Sequence, residues 1–121
     1  AWIVRKDFAD AHPDIVTAFV KVTADAYKDY LGNPAAWGPD SDAAKAIAKL
    51  TGADAADVPE LLKGYVFPSL SDEAGPNYLG GATAKALADT AAFLVVQGKI
   101  PAALPDYSPY VTTQFVTAAA K

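Results

Sequence analysis

A chain of 121 residues with 52% hydrophobic and 20% charged residues carries enough apolar material for one hydrophobic core and too much to stay disordered. A formal net charge of -4, with no run of lysine or arginine, excludes nucleic acid and anionic membrane surfaces as partners held by charge. The absence of cysteine excludes a disulfide framework and a thiolate zinc site, and suits either a cytosolic or a periplasmic home.

There is no methionine, even at position 1, as expected of a processed product or a fragment, and no signal peptide is read at the start. No uncharged apolar run approaches the roughly 18 residues that a membrane span needs.

Taken in chain order, "AWIV" is short, apolar and β-favouring, and "RKD" breaks it, which predicts one strand over Trp2–Val4. "HPDIVTAFVKVTADAYKDYLGN" predicts a long helix opened by Pro13 and ended by Gly32-Asn33, with Ile15, Phe19, Val22 and Ala26 on its apolar face. A second helix follows, capped by Asp40 or Ser41, stopped by Gly52, and burying Ala44, Ile47 and Leu50. "DAADVPELLKG" gives a third, closed by Gly64. "YVFPSL" is extended because Pro68 disfavours helical angles at Phe67. A helical turn fits "SDEAGPNYL".

"GGATAKALADTAAFLVVQG" predicts another long helix, with Ala84, Leu87, Ala91 and Leu94 on one face and Gly98 as the stop. The last helix is expected from a Ser108 N-cap and Pro109, with Val111, Phe115 and Ala118 forming its stripe. The fold class is therefore mainly α, with one short N-terminal strand and no linker, repeat or low-complexity tract.

The residues name no catalytic machinery. His12 is the single histidine and reads as a turn residue before Pro13 rather than a metal ligand or general base. Asp7, Asp10, Asp14, Asp54, Asp57 and Glu60 lie near helix starts, where they complement the helix dipole. "GGATAK" lacks phosphate-loop spacing; its glycines lead into a helix, where free N–H groups could face an anion, but that signal is weak and an ordinary turn with helix entry is the reading favoured. Trp2, Trp37, Tyr65, Phe67, Tyr78, Tyr107 and Tyr110 gather in or beside loops, either as anchors or as walls of a small-ligand cleft. No catalytic, metal or cofactor set emerges, so the chain reads as a binding module or part of one, not an enzyme.

"LADTAAFLVVQGKIPAALPDYSPYVTTQFV" resembles the C-terminal end of the taurine-type substrate-binding proteins of ABC transporters, within the broader sulfonate, nitrate and thiamine-precursor group. "WIVRKDFADAHPDIVTAFVKVTADA", "AIAKLTGADAADVPELLKGYVFP" and "YLGGATAKALADTAAFL" extend the resemblance over nearly the whole chain, in the family's order. The resemblance implies a periplasmic solute receptor of two α/β lobes (the type II periplasmic-binding-protein fold). It further implies a small anionic or zwitterionic, taurine-like ligand, an ABC permease as partner, and no cofactor.

On this reading residues 1–121 form a single C-terminal segment of one lobe, and the N-terminal part of the receptor, with its Gly/Ser-containing ligand loops, lies outside the chain. The strand at Trp2–Val4 would then join a sheet built from earlier residues. Trp2, Tyr65 and Tyr78 are the candidate ligand-binding residues. The rival reading is a helical structural or interaction fragment that self-associates and binds no small ligand.

Overall fold

The computed structural model describes residues 2–121. Among the described residues seven α-helices follow one another: α1 (Lys6–Ala11), α2 (Pro13–Gly32), α3 (Asp42–Thr51), α4 (Val58–Lys63), α5 (Leu70–Ala74), α6 (Ala82–Val96) and α7 (Gln114–Ala119). Short 3-10 turns occupy Pro34–Trp37 and Ser108–Tyr110. The chain divides into two compact units: residues up to Lys21 with Ser69–Lys121, and Val22–Pro68.

The long helices start and stop where local chemistry dictates. Ser41 caps α3 by accepting a hydrogen bond from the Ala44 N–H at 3.1 Å while donating its own hydroxyl to the Gly38 carbonyl at 2.7 Å. Gly52 ends that helix in the left-handed region, at φ 78°, with its N–H on the Ala48 carbonyl. Gly98 does the same after α6 at φ 64°. There Lys99 N–H bonds to the Leu94 carbonyl and Gly98 N–H to Val95, both at 2.9 Å, so two carbonyls of the last turn are satisfied. α2 runs from Pro13 to Gly32 as expected, and residues 65–68 are irregular.

Three expectations are corrected. Trp2–Val4 is not a strand, and no strand occurs among the described residues. A strand is held by ladder hydrogen bonds to a neighbour, and β-favouring side chains alone cannot supply one. "RKDFAD" does not merely break an extended segment but opens α1, aided by the exposed Lys6–Asp10 pair at 2.6 Å, four residues apart. The last helix starts at Gln114 rather than after Ser108. Asp106 accepts from the Ser108 N–H at 2.8 Å and Thr112 Oγ1 accepts from the Gln114 N–H at 3.1 Å, making two side-chain-stapled turns ahead of it.

The first unit buries Ala9, Val16, Ala91, Val116 and Ala119, and α5 packs on α7 within it. The second buries Tyr30, Ala44 and Val58, with α3 against α4 and against the Pro34–Trp37 turn. These cores are thin. Several residues expected to be buried are exposed, among them Ile15 at 50%, Val22 at 69% and Leu50 at 86%. In α7, Val116 and Ala119 are buried in place of the expected Phe115 and Ala118.

Candidate functional site

In the first unit, Tyr78 sits in the turn that carries α5 into α6. Its N–H bonds to the Gly75 carbonyl at 3.1 Å, and its carbonyl accepts from Gly81 N–H at 3.2 Å and Thr83 N–H at 2.9 Å. The backbone beneath the Tyr78 ring is thereby tied on both sides, and the ring itself lies at the surface. Gly80 N–H bonds to Gly75 and Ala82 N–H to Pro76, at 3.0 and 2.9 Å.

The N–H groups of Gly80, Gly81, Ala82 and Thr83 are thus taken by carbonyls of residues 75–78. What "GGATAK" builds is a self-satisfied turn. The donors that an anion would want at this helix start already have partners.

Trp2 also belongs to the first unit. Its ring meets Phe19 edge to face, with centroids 5.1 Å apart and planes at 84°, while 67% of the residue stays exposed. His12 caps the end of α1 and tilts against Phe8 at 5.0 Å, consistent with its reading as a turn residue.

Tyr65 belongs to the second unit, at the outer end of a chain of aromatic rings. It stacks on Phe67 at 6.0 Å and 19°; Phe67 meets Tyr27 at 4.8 Å and Tyr30 at 5.3 Å; Tyr30 meets Trp37 at 5.5 Å. The Trp37 indole N–H donates to an Asp29 carboxylate oxygen at 3.1 Å, which gives the polar tip of the ring a partner. Tyr30, buried at the centre, makes this a packed cluster, and Tyr65 is its exposed end. Beside it, Glu60 accepts from Lys63 Nζ at 2.7 Å, and this hydrogen bond, with the carboxylate's charge, holds the Lys63 ammonium above its ordinary range.

Of the three candidate ligand residues, Trp2 and Tyr78 therefore share a unit, and Tyr65 lies in the other. Tyr27, Tyr30 and Asp29 were not singled out in the sequence. Their signal was present, since two tyrosines three residues apart lie on one side of a helix and can reach the same aromatic partner.

Elsewhere the charges are local. Arg5 donates to both carboxylate oxygens of Asp7, at 3.1 and 2.5 Å, and holds that carboxyl below its ordinary value. Among the described residues no three His, Asp or Glu side chains gather as a metal site would require, and no helix is long and apolar enough to cross a membrane.

The chain is 44% identical over 115 residues to the taurine-binding periplasmic protein of Escherichia coli strain K12. This chain is similar to part of a taurine-binding periplasmic protein. The match takes in 95% of the chain and 35% of that relative, so the chain spans about a third of the relative's length. The resemblance drawn from the four sequence stretches is borne out by this similarity. No protein-family model matches the chain.

Proposed function

We propose that this chain is the C-terminal segment of a periplasmic solute-binding protein that delivers taurine or a related alkanesulfonate to an ABC permease, without catalysis. The observation that carries the reading is the 44% identity sustained over 95% of the chain. One structural feature supports it. Surface residues such as Ile15, Phe93 and Val96 suit faces covered by a larger body.

In this reading Trp2, Tyr65 and Tyr78 contribute to the ligand site. A sulfonate is recognised by N–H and O–H donors, and its short carbon stem by an aromatic wall. Tyrosine supplies both kinds of contact and tryptophan adds a ring edge. The test is calorimetric titration of taurine into the intact protein that carries this segment. Saturable heat with taurine, and none with an uncharged analogue of its size, supports the assignment. A flat titration with taurine and with longer alkanesulfonates overturns it.

The exposure of Phe93 and Val96 favours a second reading, in which the chain self-associates and binds no small ligand. Sedimentation velocity over a wide concentration range separates the two. A mass that rises with concentration and ignores taurine supports self-association, and a taurine-responsive monomer supports the receptor.

A further inference from the structure

We draw no further inference here: the strongest candidate, the exposed apolar surface that Phe93 and Val96 form three residues apart on α6, carries nothing because nothing in the structure shows what covers it.

Discussion

A Cβ placed on Gly80 would stand 2.6 Å from the carbonyl oxygen of Ala74, and 2.8 Å from the carbonyl carbon and oxygen of Gly75. All three atoms are backbone, so no side-chain rotation relieves the contact. The crossing is held by the Gly80 N–H to Gly75 hydrogen bond at 3.0 Å, in the turn that presents Tyr78.

Gly80→Ala is therefore expected to destabilise the first unit by about 2 kcal/mol, the scale of overpacking that the backbone must absorb. Gly32→Ala is the control. A Cβ there meets nothing within 4 Å, and alanine in the last position of α2 should be neutral or mildly stabilising. Thermal melting of both variants by circular dichroism checks the pair. Equal midpoints for Gly80→Ala and the unaltered chain would show that the turn is not closed as described.

Ser41 carries two hydrogen bonds at the start of α3, one accepted from Ala44 N–H and one donated to the Gly38 carbonyl. Ser41→Ala removes both and should cost about 1 kcal/mol, the usual loss for a missing N-cap. Ser41→Thr keeps both groups, and Ser41→Asp keeps only the acceptor. Denaturant melts should rank serine and threonine above aspartate, and aspartate above alanine. If alanine equals serine, the cap contributes nothing.

These features were legible in the sequence because they are local. Ser41, Gly52 and Gly98 act through hydrogen bonds and backbone angles within a turn of their own position, and each ends or begins a helix as its residue type predicts. Trp2–Val4 failed as a strand for the complementary reason: its side chains favour β, but a ladder is a property of two segments. Ile15 and Leu50 follow helical periodicity and still lie exposed, since periodicity identifies an apolar face and not what covers it. Within the candidate site, the loop aromatics stood out from composition. The pairing of Phe67 with Tyr27 and Tyr30 did not, because it joins residues roughly forty positions apart.

Two carboxylates should respond to acid in opposite senses. Asp106 accepts the Ser108 N–H at 2.8 Å, which holds its pKa below the ordinary 3.8. Its contribution is present above that value and is lost as pH falls through the lower folded value. Glu73, in α5, is partly withdrawn from water, and this burial raises its pKa above the ordinary 4.5. The folded chain therefore prefers Glu73 protonated; that preference is fully present below 4.5 and is lost as pH rises through the folded value. Glu73→Gln should raise the melting midpoint at about pH 7 and leave it unchanged near pH 3, while Asp106→Ala should lower it at about pH 7 and matter least in acid. Midpoints of both variants measured across that range decide the point. A Glu73→Gln gain that persists undiminished in acid would mean the side chain acts through something other than its charge.

Tyr78 is the candidate ligand residue whose backbone is best fixed, since its amide and carbonyl groups are tied to Gly75, Gly81 and Thr83. The turn fixes where the side chain starts, so binding a sulfonate there orders the ring and hydroxyl but not the backbone beneath them. Tyr78→Phe removes the hydroxyl and keeps the ring. In the intact protein that carries this segment, it should weaken taurine binding about tenfold, the equivalent of one charge-assisted hydrogen bond. Tyr65→Phe, made in parallel, tests the exposed end of the aromatic cluster in the same way, and Trp2→Leu tests whether a ring is needed near the chain start. Calorimetric titration reads affinity, and a melting curve of each variant verifies that the fold is unchanged. Unaltered affinity in Tyr78→Phe removes that residue from the site, whereas weakened binding at an unchanged melting midpoint assigns the hydroxyl to the ligand.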